Sequence, residues 1–383
     1  MNKSTTAMKL SLCALALGVH VGAKAQALVI TSCSGNGVLV CSNLAPGSVA
    51  TVEWASSLSG PWQTNWVGLD AVTVASNGMI QVSVPMFYRV RGVAQTNSAP
   101  PNGMALIPAG AFTMGNCMAP SEGYSDELPL HTVYVGAFYM DKYLVTKSLW
   151  DTVYQWAISN GYTFDYAGSG KAANHPVQTI DWYDCVKWCN ARSEKEGRVP
   201  AYYTDAGLSV RYRAGQAGPY VNWSTGYRLP TEAEWEKAAR GEMSEQRFAW
   251  GNTISWSQAN YCSCWSGGRP YYAYDVNPTD GYHPTFATGS YPYTSPVGYF
   301  AANGYGLYDM AGNVYQWCWD RYGLYASSSQ PDPRGPASGS YRVLRGGSWF
   351  SYAYCCRAAF RFFNSPTFSD NGIGFRSVLP SGQ

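Results

Sequence analysis

From Met104 to the C-terminus only two stretches carry helical spacing, and the segments around them, rich in Gly, Tyr, Pro and Asn, show little periodicity of any kind. That shortage of regular pattern constrains the fold most, because a compact domain tolerates long irregular loops only where something packs them. Aromatic rings are the available packing: they make up 15% of the chain, with 30 Tyr and 15 Trp beside 40 Gly and 22 Pro. The expected architecture is therefore α+β with low regular secondary structure, plugged by rings, rather than a helical bundle. Of the two helical stretches, TIDWYDCVKWCNARSEKEG sets Trp182, Cys185, Val186 and Cys189 on one face. The other, LPTEAEWEKAARG, opens with a capping box, Thr231 and Glu234, and stops at Gly241.

The first hundred residues read differently. Lys3 and Lys9 precede an apolar run from Leu10 to Val21, and Ala23-Lys24-Ala25 offers a cleavage site before Gln26. Residues 1–25 are expected to be a signal peptide, and the chain an exported protein of the periplasm or extracellular space. The run is too short to span a bilayer, so no membrane insertion is expected. Residues 28–94 contain short β-rich runs (VLVCSNL, ATVEWASS, AVTVAS, MIQVSV, MFYRVRGV) separated by turn residues, the pattern of a small all-β module. Residues 95–103 have linker composition, and 104–380 form the large domain. In an oxidising compartment Cys33 and Cys41 can close a small disulfide loop. A net charge of +2, with only 13% charged residues, excludes an electrostatic nucleic-acid binder.

Within the large domain MALIPAGAFTMG, HTVYVGAFYMDKYLVTKSLW, HPVQTIDW, YRLPTEAEWEKAARG, YGLYDMAGNVYQWCWD and RVLRGGSW occur in that order, ending in IGFR. Together they resemble the formylglycine-generating enzyme, or sulfatase-modifying factor, family. The resemblance implies an α+β fold related to C-type lectins, which supports several functions. Active members use copper(I) and oxygen to convert a sulfatase cysteine to formylglycine, with the metal on two cysteines shortly after a Gly-Gly-Ser motif. Carried over, the motif is Gly346, Gly347 and Ser348, the second cysteine is Cys356, and the first falls on Ser351. Ser348, Ser351 and Cys356 are the catalytic candidates of an oxidase reading, but a hydroxyl does not replace a soft thiolate on copper(I). Cys355 is a poor substitute, because neighbours on an extended segment face opposite ways. The family's disulfides are also missing, since the partner position of Cys189 is Ser377. A related branch binds iron through histidines; His131 and His175 sit in structural motifs here, and no such iron motif is present. The resemblance further implies calcium, with Asp309, Gly312, Val314 and Gln316 at one site and Asn260, Tyr261 and Asp275 or Asp280 at another.

Between RGGSW and IGFR lie Phe350, Ser351, Tyr352, Tyr354, Cys355, Phe360, Phe362, Phe363, Asn364, Ser365, Phe368, Ser369, Asp370, Asn371 and Gly372. All are types encoded by codons ending in C with the first two bases varied, and Lys, Glu, Gln, Met and Trp are absent from these positions. This resembles the variable region of diversity-generating retroelement target proteins, some of which share the fold and the flanking motifs. Such side chains combine rigid area with adaptable hydrogen bonding, as binding loops do. Phe350, Tyr352, Tyr354, Phe360, Phe362, Phe363, Asn364, Phe368, Asp370 and Asn371 are the expected contacts to a protein or glycan ligand. Trp349, Ala353, Arg357, Ala358, Arg361, Pro366, Ile373, Phe375 and Arg376 form the skeleton expected to stay buried or paired. The sequence thus predicts a catalytically inactive, ligand-binding family member; the alternative is a copper-dependent formylglycine-generating oxidase.

Overall fold

Short β-branched runs set the architecture of the first hundred residues. The computed structural model describes residues 9–11, 14–16, 29–33, 38–55, 71–83, 87–91, 100–119 and 121–382. Its chain divides into two compact units, Met1–Pro100 and Pro101–Gln383. In the first unit Val38–Ser42 pairs antiparallel with Val29–Cys33 and Ile80–Ser83, and Val49–Ala55 pairs antiparallel with Val72–Thr73 and Phe87–Arg91. Leu44, Ala50, Val74 and Ile80 are buried there. The signal-peptide cleavage site and residues 95–99 of the linker lie outside the described residues, as does the Cys33 side chain of the expected disulfide. No helix among the described residues is long and apolar enough to cross a membrane.

The second unit holds three α-helices among its described residues. The first, α1 (Lys147–Ser159), is capped by the Thr146 hydroxyl, which accepts from Leu149 N at 3.1 Å. The second, α2 (Trp182–Lys195), is capped by Asp181, whose Oδ1 accepts from Asp184 N at 2.7 Å. The third, α3 (Glu232–Arg240), has the expected capping box of Thr231 and Glu234 and ends at Gly241, whose φ of 58° needs a residue without Cβ. The sequence reading missed α1. Its fully buried face, Trp150, Val153 and Ala157, is narrow, and Leu149, Tyr154, Trp156 and Ile158 set further apolar side chains around the helix, which blurs the helical period in the sequence.

Rings hold these helices in place. Trp150 of α1 and Trp188 of α2 stack with centroids 5.9 Å apart and planes 1° apart, and Phe375 of the IGFR motif meets both edge-on. All three are fully buried. A four-stranded sheet runs Phe362–Asn364, Arg342–Arg345, Tyr315–Arg321, Ile373–Gly374. Its first two pairings are antiparallel and its last is parallel. This sheet carries both ends of the C-terminal segment, RGGSW on its second strand and IGFR on its fourth.

Candidate functional site

The segment between those ends is pinned from below by buried guanidinium groups. Arg357 makes a bidentate pair with Glu127 (2.7 and 2.7 Å), and Arg361 makes one with Glu232 of α3 (2.7 and 2.8 Å). Arg345 pairs with Glu236 of α3 and donates to Phe360 O. Arg376 donates through Nε to Gln316 Oε1 at 2.8 Å and through Nη1 to Asp141 O at 3.0 Å. Each of these arginines is at least 95% buried; Arg345, Arg357 and Arg361 are matched by carboxylates, and Arg376 by neutral oxygens alone. Trp349, Ala353, Ala358, Ile373 and Phe375 are buried with them, while Pro366 is half-buried.

At the Gly-Gly-Ser turn, Gly347 has φ 73°, and a Cβ there would lie 2.9 Å from Cys356 Sγ. The glycine therefore lets the turn close over the thiol. Ser351 is buried, and its Oγ accepts from Ser348 N at 3.0 Å and lies 2.9 Å from Ser348 Oγ. Cys356 sits in an apolar cluster with Phe248, Ile254, Tyr261 and Ala353, and burial pushes its thiol well above the usual range. Residues 353–356 form a turn of 3-10 helix, so the extended geometry expected for Cys355 and Cys356 is corrected. Burial raises the Cys355 thiol too, and the hydroxyls of Tyr315 and Tyr354 beside it pull in the other direction. A serine hydroxyl at the first ligand position, engaged with Ser348, does not fit a soft ion that takes two thiolates.

The calcium candidates separate. Gln316 is a hydrogen-bond hub: Nε2 donates to Asp309 O at 2.9 Å, and Oε1 accepts from Trp235 Nε1 and Arg376 Nε, both at 2.8 Å. Arg376 also donates to Asp309 O, and the Asp309 carboxylate accepts from Gly298 N at 2.7 Å. Amide, indole and guanidinium donors thus occupy Asp309 O and Gln316 Oε1, so neither of these oxygens is open to a hard cation. The other corner does offer an unpartnered oxygen. Asn260 Oδ1 is buried with no hydrogen-bond partner among the described residues, although Asp275 already accepts from Tyr261 Oη (2.7 Å) and Ser263 Oγ (2.8 Å). His131, His175 and His283 are hydrogen-bonded separately, to Pro129 O, Thr294 Oγ1 and Trp256 O.

Over the pinned skeleton, Phe350, Tyr352, Phe362, Phe363 and Phe368 are exposed, at 37–43% of their surface. Tyr354, Asn364, Asp370 and Asn371 are half-buried. Phe360 departs from expectation: it is 5% exposed and packs edge-on against Tyr354 and Tyr124 as part of the core, while its carbonyl accepts from Arg345. Phe362 stacks on Tyr315 at 5.1 Å, and Phe363 on Tyr322 at 4.1 Å. Phe350 lies against Gly372, whose carbonyl accepts from Tyr315 N at 2.7 Å, so Phe350 and Phe362 both border Tyr315. Sequence reasoning missed two exposed neighbours from other loops. Tyr291 stacks on Trp349 at 5.2 Å, and Tyr341 packs on Phe363 at 5.1 Å. Their only signal was the density of Tyr in Gly- and Ser-rich loops.

Residues 90–380 match the Sulfatase-modifying factor enzyme 1-like domain. The chain is 34% identical over 294 residues to the formylglycine-generating enzyme of Streptomyces coelicolor, covering 72% of this chain and 88% of the relative. It is 34% identical over 301 residues to that of Thermomonospora curvata, covering 72% and 92%. Among solved structures it is similar to Treponema denticola variable protein 1, with 30% identity, a TM-score of 0.55, and 72% of this chain and 94% of that chain covered. The architecture and these matches agree, and the chain belongs to the sulfatase-modifying factor family.

Proposed function

We propose that this protein is an exported, ligand-binding member of the family that has given up copper-dependent oxidation and binds a protein or glycan through its C-terminal aromatic surface. The observation that carries the reading is Ser351, a buried hydroxyl bonded to Ser348 where the family resemblance calls for a thiolate. The exposed rings support the binding half. Apolar rings left at the surface mark interaction sites where they cluster, and rigid rings lose little conformational freedom on binding. Buried arginine pairs beneath them free the upper residues to change without loss of the backbone, as a diversified surface requires. A calcium ion, by the same reading, belongs at the Asn260 corner and not at Gln316.

Titration of the reduced protein with Cu(I) against a competing chelator tests the non-oxidase half. The expected result is that Cys356→Ala leaves Cu(I) affinity unchanged. Tight stoichiometric binding that disappears in Cys356→Ala would restore the oxidase.

A further inference from the structure

A second pair of cysteines lies outside the Gly-Gly-Ser turn. Residues 261–264 are Tyr-Cys-Ser-Cys, and they alternate in burial: Tyr261 and Ser263 are buried, Cys262 and Cys264 half-exposed. The inner pair is fixed by one carboxylate, with Tyr261 Oη donating to Asp275 Oδ1 at 2.7 Å and Ser263 Oγ to Oδ2 at 2.8 Å. The backbone is held extended on both edges. Ser263 exchanges both hydrogen bonds with Gly281, at 2.8 and 3.0 Å, Cys262 N donates to Ser351 O at 2.9 Å, and Cys264 O accepts from Tyr271 N at 2.7 Å. Two residues apart on an extended segment, the Cys262 and Cys264 thiols project to the same outer side.

We propose that Cys262 and Cys264 form a two-coordinate site for a soft monovalent ion of the Cu(I) class. A disulfide is the wrong product for this geometry. Alternate residues of a strand sit roughly 6.6 Å apart with parallel side chains, whereas a disulfide draws its Cβ atoms to about 3.8 Å. A bridging ion needs only that the sulfurs approach to roughly two metal–sulfur bonds of about 2.3 Å each. Zinc in a closed site wants four ligands, and among the described residues the one cluster of three or more His, Cys, Asp or Glu ligands is Asp165, Asp181 and Asp184, elsewhere in the fold. Two thiols without further ligands suit a soft ion of low coordination number. On binding, each thiol releases its proton to solvent as a sulfur–metal bond forms, with no change of oxidation state.

The site goes beyond the ligand-binding reading and fails on different variants. Anaerobic titration of the reduced full chain with Cu(I) against a colorimetric chelator is expected to show one equivalent bound. Cys262→Ser and Cys264→Ser should each weaken it at least tenfold, while Cys356→Ala and Cys117→Ser leave it unchanged. The Cys262 thiol donates to Ser263 O at 3.7 Å, a bond a serine hydroxyl can keep, so the serine variants should melt with the parent; Cys262→Ala and Cys264→Ala repeat the comparison if a serine variant does not fold. Retention of the ion by the Cys262→Ser/Cys264→Ser double variant, or loss in only one of the single variants, would overturn the proposal.

Discussion

Asp181 shows how closely this fold balances its buried charges. Its Oδ1 caps α2, but Oδ2 is fully buried with no hydrogen-bond donor among the described residues. Burial and the neighbouring Asp184 carboxylate raise the group to about 7. A carboxyl raised above its unfolded value of about 3.9 is free to ionise in the unfolded chain first, so its ionisation costs folding free energy as pH climbs. The loss begins near the unfolded value and levels off above the folded one, reaching at most about 4 kcal/mol for a shift of roughly three units at about 1.4 kcal/mol each. Asparagine keeps the cap and supplies a donor where Oδ2 lacks one. Asp181→Asn should therefore raise the Tm relative to the parent at pH 8, and the advantage should vanish near pH 4; an equal gain at both values would show that Asp181 is not the titrating group. At the same scale, Asn260 offers the unpartnered acceptor that a hard cation would use. Millimolar calcium should raise the Tm of the parent and not of Asn260→Ala, and equal shifts in both would remove calcium from that corner.

The C-terminal segment, as an element, separates rings that cover from rings that are covered. Alanine at Phe350, Phe362, Phe363 or Phe368 should change stability by no more than about half a kcal/mol, the usual range for surface positions. Alanine at Phe360 should cost about 3–5 kcal/mol through lost burial and a cavity. Arg357→Ala should cost a similar amount, because it strands Glu127 in the interior. Thermal melts of the six variants read this directly, and strong destabilisation by most of the exposed rings would make them core. The element boundaries were legible where a local rule has no competitor. The α3 capping box and its glycine stop depend on neighbouring residues alone, and the strand runs of the first unit show plain alternation. The narrow face of α1 and the 3-10 turn at Ala353–Cys356 depend on partners distant in sequence, Trp188 and Gly347 among them. Phe360 could not be told from Phe362 by type; its ring is taken into the core between Tyr354 and Tyr124, partners distant in sequence or unmarked in it.

At the scale of the molecule, the family could be read from ordered motifs because those motifs are the packing itself: IGFR supplies Phe375 to the tryptophan stack and Arg376 to the Gln316 hub. Tyr291 and Tyr341 join the surface from loops without periodicity, and only the folded chain brings them there. The division after Pro100 separates two sets of internal contacts, so residues 103–383 expressed alone should give a soluble domain with one cooperative unfolding transition. An aggregated or molten product would mean that the first unit completes the core. Whether the protein binds or oxidises turns on the chemistry left at Ser351 and Cys356. The most direct measurement supplies the full chain with Cu(I) and oxygen, adds a sulfatase-derived cysteine peptide, and reads the peptide by mass spectrometry. The expected result is an unchanged cysteine. Conversion to formylglycine by the parent, abolished in Cys356→Ala, would contradict the loss of catalysis.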